Sequence, residues 1–251
     1  MPPTPPTSSP TALVAAVRAG LERLKDPKKA RPMQAYAKSA MPYYGVQAPA
    51  MRAVCSAAFD ANPLTTAAAW RAAITGLWDT ATHKEQRYAA IELAAHPPYQ
   101  RFVSMALVPL YRRLIQEGAW WDTVDALAHR VAVLHDTYPE SLKRTLRAWA
   151  KQENIWLRRV AIIVQVLARE ETDRALLYDC IEPSLESKDF FLRKAIGWAL
   201  REFAKANPDE VRRYLAANKS RLSALSAREA AKGLSHAKRH GLVARTKRRR
   251  P

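Results

Sequence analysis

A chain of 251 residues with 41 Lys and Arg against 23 Asp and Glu carries a formal charge of +18 and fits one large domain or two small ones. A hydrophobic content of 48% with 25% charged residues is ordinary globular usage and excludes wholesale disorder, and seven glycines disfavour folds built on glycine-rich phosphate loops. The pI near 10.2 points to a polyanionic partner, nucleic acid or an anionic membrane surface, and charge alone does not choose between them.

The first ten residues, MPPTPPTSSP, have neither a basic start nor an apolar centre, so they read as a disordered Pro-rich segment and not as a secretory signal. From residue 11 to 238 the 3.6-residue period dominates and strand signals are weak. It is clearest in residues 85–95 (EQRYAAIELAA), 156–168 (WLRRVAIIVQVLA) and 190–204 (FFLRKAIGWALREFA). Pro63, Pro97-Pro98, Gly118, Pro139, Pro183 and Pro208 fall where hairpins need breakers. Asn207 before Pro208 reads as a helix N-cap followed by acids. The longest greasy stretch, residues 160–168, is too short to span a bilayer and contains Gln165. Cys55 and Cys180 give no disulfide framework and no metal spacing; the six histidines include no HExxH, and His236 and His240, at helical spacing in a basic tail, read as solvated residues and not as ligands. The expectation is a soluble, monomeric cytoplasmic protein with no metal and no cofactor. Residues 239–251 read as a basic disordered tail. The segment 236–251 holds seven Lys and Arg and no acid, and removing it leaves 18 − 7 = +11 on the body.

The body carries a repeat. Arg52 and Arg87 are 35 apart, as are Arg158 and Arg193, and Arg193 and Arg228; position 122, halfway between Arg87 and Arg158, holds Asp122. Small apolar residues recur two and three places later, at Val54-Cys55, Ala89-Ala90, Val160-Ala161, Ala195-Ile196 and Ala230-Ala231. A period of this length with two helices per unit predicts an all-α, HEAT-like solenoid of about six helix pairs, curved and with a basic concave face.

The repeat at position 122 is the exception. It reads Trp120-Trp121-Asp122-Thr123-Val124-Asp125, with acids in both registers. One reading is a carboxylate beside aromatic faces, with Trp121 and Asp125 one turn apart, able to stabilise a positive charge. The other makes Asp122 an N-cap, Asp125 a dipole-favouring acid and the tryptophans core. Lys194, Trp198 and Arg201 lie at i, i+4 and i+7, a basic–aromatic–basic stripe suited to a nucleic-acid backbone or, alternatively, a core Trp flanked by snorkelling cations. Arg158 and Arg159 are candidate phosphate or active-site cations, with structural pairing as the alternative.

Residues 32–49 (PMQAYAKSAMPYYGVQAP), 120–125 (WWDTVD), 154–159 (NIWLRR) and 189–205 (DFFLRKAIGWALREFAK), in this order and spacing, resemble the AlkD-like DNA alkylation repair family, the HEAT-like-repeat DNA glycosylases. The resemblance spans nearly the whole chain between its two ends. It implies excision of cationic alkylated purines, chiefly 3-methyladenine and 7-methylguanine and in some members bulky adducts, from double-stranded DNA. It also implies the catalytic carboxylate at Asp125, active-site tryptophans at Trp121 and Trp198, an active-site arginine at Arg159, and an aromatic near the lesion at Tyr36. Arg158, Lys194 and Arg201 are the further DNA-binding candidates read from the residues. The competing function is a non-catalytic DNA-binding repeat protein that recognises distorted duplex. With positions 122 and 193 as equal origins, Asp125 falls at about 300° and Trp198 at about 140° on ideal helices, nearly opposite faces.

Overall fold

The computed structural model describes residues 9–239, with side chains described through residue 235. Within them are thirteen α-helices and four short 3-10 turns, and no strand. The helices are α1 (Pro10–Arg23), α2 (Pro27–Ala37), α3 (Ala48–Ala61), α4 (Ala67–Asp79), α5 (Lys84–Ala95), α6 (Val108–Gly118) and α7 (Trp121–Thr137). They continue with α8 (Pro139–Ala150), α9 (Ile155–Ile163), α10 (Arg174–Ile181), α11 (Phe190–Ala206), α12 (Pro208–Ala217) and α13 (Ala224–Arg239). Six successive pairs, α2/α3 to α12/α13, follow a leading α1, which is the helical-repeat class that the spacing predicts. Most of the Pro-rich start and the basic tail lie outside the described residues. Ser9 and Pro10, at the edge of that start, are helical in role: Ser9 accepts a hydrogen bond from the Ala12 amide and caps α1.

Every member of the 35-residue series lands near the start of the second helix of a pair. Arg52 and Arg228 are the fifth residues of α3 and α13; Arg87, Arg158 and Arg193 are the fourth of α5, α9 and α11. Asp122 is only the second residue of α7. The small residues Ala89, Ala90, Val160, Ala161, Ala195 and Ile196 are buried, as close packing of neighbouring helices requires.

The helices fall into two compact units that divide between Ser104 and Met105. In the first, α1 packs on α3 and α4, and α5 on both of those. Its core is built on Trp70, Trp78, Leu13, Leu21 and Ile74. In the second, α7, α9, α11 and α13 pack in sequence as one layer, with α6, α8, α10 and α12 against it. On α7 the buried positions Val124, Leu127, Ala128, Val131 and Leu134 keep the i, i+3, i+4, i+7 spacing, which leaves Trp121, Asp125 and His129 on a flanking, half-buried stripe.

One local expectation is corrected. The periodic stretch 156–168 is not one helix: α9 stops at Ile163, and residues 164–168 turn. The turn lets buried Gln165 accept from the Asp173 amide at 2.7 Å and donate to the Asp173 carbonyl at 3.1 Å, which fixes the start of α10. Asn207 occupies the cap position of α12 as expected, with Pro208 in the first turn and Asp209 and Glu210 following, although its side chain makes no capping bond.

Candidate nucleic-acid and catalytic site

The first turns of α7, α9 and α11 meet in the second unit. Asn154 caps α9, accepting from the Trp156 and Leu157 amides at 3.1 Å each, and Asp189 caps α11 through the Leu192 amide at 2.9 Å. The start of α7 differs: Trp120 holds the cap position in an extended conformation with no side-chain capping bond. Asp122 is therefore not the N-cap. It is a first-turn acid whose Oδ1 accepts from the Thr123 amide at 2.6 Å, at the positive end of the helix dipole. The reason is tertiary. The Trp120 ring packs edge-on against Phe191 at 5.2 Å and near Trp156 at 6.1 Å, so the helix begins where the ring docks.

Asp125 and Arg159 lock this corner. Arg159 Nε donates to Asp125 Oδ1 and Nη2 to Oδ2, both at 2.7 Å, a bidentate charge-assisted pair. Arg159 Nη1 donates to the Phe191 carbonyl at 2.8 Å, so one guanidinium ties α7, α9 and the first turn of α11. The arginine side chain is 5% exposed, whereas Asp125 remains 18% exposed. The carboxylate is thus held from behind and reachable from in front. Beside it, Trp120, Trp156 and Phe191 form an aromatic cluster, with Trp156 and Phe191 at 4.8 Å, and Phe190 standing edge-on to Phe191 and exposed. Trp120 Nε1 is buried with no hydrogen-bond partner.

The pair also resolves the angular conflict. Asp125 and Arg159 are each the fifth residue of their helix, and Lys194 is the fifth of α11. Counted from the helix starts, Trp198 is the ninth residue of α11, four places beyond Asp125's level, or about 40° around an ideal helix. Position 122 is out of register with position 193 by two residues. Counted this way, Asp125 and Trp198 fall within about 40° of each other and not on nearly opposite faces.

The other expected residues divide. Trp121 and Trp198 are both half-buried, Trp121 at the very start of α7. Arg158 points its guanidinium into the connection before α11, donating from Nε to Ser184 Oγ at 3.0 Å and from Nη2 to the Pro183 carbonyl at 2.6 Å. This is internal pairing, the alternative to a phosphate contact. Lys194 and Arg201 both meet Glu229 of α13. Tyr36 belongs to the first unit, 78% exposed on α2 among Lys28, Lys29 and Arg31.

The DNA alkylation repair enzyme profile matches residues 17–234 of this chain. The chain belongs to the DNA alkylation repair enzyme family. A solved structure described as a predicted DNA alkylation repair enzyme from Enterococcus faecalis is similar at 30% identity and a TM-score of 0.75, over 83% of this chain and 95% of that one. The structure of AlkD2 from Streptococcus mutans shares the fold at 16% identity and a TM-score of 0.50, over 92% and 98% of the two chains. No protein of curated function matches significantly.

For this DNA alkylation repair protein the role lies in the repair of alkylated DNA, and the helical-repeat fold is that of its relatives. Among the described residues, no helix is long and apolar enough to cross a membrane. Three residues near the candidate site have no place in the sequence reading. His129, one turn beyond Asp125 on α7, has its pKa lowered, first by burial and then by Arg130, against an opposing pull from Asp125. Phe191 supplies both a ring and the carbonyl that anchors Arg159. Glu229 gathers three cations. Helical spacing from Asp125 flags His129; Glu229 shows only as an acid in a basic stretch.

Proposed function

We propose that this protein is a monofunctional alkylpurine DNA glycosylase, which hydrolyses the N-glycosidic bond of cationic alkylated purines such as 3-methyladenine and 7-methylguanine in duplex DNA and opens base excision repair. The observation that carries this reading is the Asp125 carboxylate, gripped on both oxygens by a buried guanidinium and still accessible.

The substrate ring already bears a positive charge. When the C1′–N9 bond breaks, its electron pair neutralises the purine, so the leaving group needs no protonation. The sugar becomes oxocarbenium-like. A fixed carboxylate beside C1′ stabilises that cation and orients the water that adds to it, with the water's proton passing to the carboxylate or to solvent. Arg159 acts through Asp125: it holds the carboxylate in one orientation before substrate arrives, and so serves as a positioning residue. Aromatic faces at Trp121 and Trp198 attract a cationic base at roughly 0.5–2 kcal/mol each. Tyr36 and the cations Lys194 and Arg201 contribute contacts to the duplex, and Arg158 supports the loop that precedes α11. The reaction as written uses no cofactor.

The test is base release. Incubation with methylated duplex DNA is expected to liberate free 7-methylguanine and 3-methyladenine, leaving abasic sites without lyase strand cutting. DNA binding with no base released from any alkylated duplex overturns this reading and favours a binding-only repeat protein.

A further inference from the structure

The stripe Lys194–Trp198–Arg201 is not a row of unengaged cations. Lys194 Nζ lies 2.8 Å from Glu229 Oε1, and Arg201 Nη1 donates to Glu229 Oε2 at 3.1 Å. Lys232 Nζ reaches Glu229 Oε1 at 2.7 Å from the same helix. The Glu229 side chain is only 6% exposed, whereas Lys194 and Arg201 are 40% and 29% exposed. An acid at the floor therefore holds cations that stand at the rim, on either side of Trp198 along α11.

Backbone packing leaves this acid nowhere else to go. A Cβ on Gly197 of α11 would lie 2.6 Å from Glu229 Cβ and 3.0 Å from the Ser226 carbonyl, and one on Gly233 of α13 would run into the Arg201 carbonyl. Ser226 Oγ also donates to the Arg193 carbonyl at 2.8 Å. With α11 and α13 in backbone contact, Glu229 is held under Lys194 and Arg201 in the free protein. Pairing with Lys194 and Lys232 outweighs burial, which acts in the opposite direction, and brings its pKa down to about 2.

A carboxylate and a phosphodiester offer the same thing to a lysine or an arginine, a pair of anionic oxygens. We propose that Glu229 is a specificity-setting positioning residue that stands in for a DNA phosphate, occupying Lys194 and Arg201 in the free protein until the duplex backbone draws the two cations from it. This rests on the reading, given above, that the stripe faces DNA. Two consequences follow from the geometry. The cations are ordered before DNA arrives, which lowers the entropy lost on binding. Their attraction for undamaged duplex is reduced, because each phosphate contact first breaks an internal pair.

The test uses the full chain and an unmodified DNA duplex, with binding followed by fluorescence anisotropy over a salt series. Glu229→Gln is expected to bind about three- to tenfold more tightly than wild type, a release of two part-exposed ion pairs. Its plot of log K against log salt should be steeper by up to about one. An unchanged or weakened affinity with an unchanged slope overturns the inference, because a purely structural glutamate would give that result. The double substitution Lys194→Gln with Arg201→Gln gives the converse readout and stands in if Glu229→Gln does not fold. It should make the slope shallower by about 1–2, and an unchanged slope also overturns the proposal. Absence of any duplex binding by wild type would remove the DNA reading and this inference together. Wild-type binding with an unaltered variant removes the inference alone.

Discussion

Glu85 in the first unit and Asp125 in the second are both carboxylates near the start of a second-row helix, and their surroundings differ in kind. Glu85 is 1% exposed and accepts three backbone amides, from Tyr44 at 3.0 Å, Gly45 at 2.9 Å and Val46 at 3.1 Å. Next to it, Gln86 donates to the Tyr44 hydroxyl and Tyr43 shares a hydrogen bond with Tyr88, so the segment before α3 is stapled to α5. Asp125 binds no backbone amide among its hydrogen bonds given above; its partner is a side chain, and part of it remains open. A buried anion matched to main-chain donors fixes the fold. One matched to a guanidinium and left reachable is the arrangement that the proposed reaction needs. Partner type and exposure separate the two roles, where residue type and helical position do not.

The largest expected effect comes from neutralising the reachable carboxylate. Asp125→Asn keeps the shape and removes the charge, and should slow base release by about 10²–10⁴-fold. Affinity for undamaged duplex should stay within about threefold. A loss of less than tenfold, measured on protein shown by circular dichroism to be folded, would place the chemistry elsewhere.

Neutralising the stapled carboxylate should do the reverse. A Glu85→Gln side chain offers one acceptor oxygen where three amides converge, so at least one N–H loses its partner. Unfolding free energy from urea titration should fall by about 2–4 kcal/mol, with base release per folded molecule little changed. A variant that keeps its stability but loses activity would erase the distinction between the two carboxylates.

Glu229 supplies a third, intermediate case, and its effect should be the smallest. Its pKa falls from the ordinary 4.5 to about 2 in the folded protein, with hydrogen bonding to Lys194 and Lys232 as the leading causes. A lowered carboxylate pKa stabilises the fold above the unfolded value and loses that contribution as pH drops through the folded one. The melting temperature of wild type should therefore exceed that of Glu229→Gln by roughly a few degrees above pH 4.5. That gap should close between pH 4.5 and 2. A gap that persists at pH 2 would mean that packing against Gly197, and not charge, is what Glu229 contributes.

Much of this was legible in the chain because it is local. The 35-residue recurrence of Arg with small apolar neighbours marks the start of the second helix in every pair but that of α7, since a repeated helix pair presents the same packing problem each time. Asn154 and Asp189 cap α9 and α11 as their residue types dictate. Departures occur where a distant ring or side chain competes with a local preference. Trp120 takes the cap position of α7 from the acid beside it because Phe191 and Trp156 receive its ring. The helix expected over residues 156–168 ends early because Gln165 finds the ends of Asp173.

The sequence by itself determined the helical-repeat class, the family and the residues Trp121, Asp125, Arg159 and Trp198 as the ones to examine, because periodicity and short motifs survive in one dimension. Only the tertiary structure decided that Arg159 stands behind Asp125 and spends its donors there and on Phe191. It also decided that α7 is shifted by two residues within its layer and that Lys194 and Arg201 share a buried acid. Each of these depends on how far one helix slides along the next, and that displacement is set by ring packing and close backbone contact between helices more than thirty residues apart.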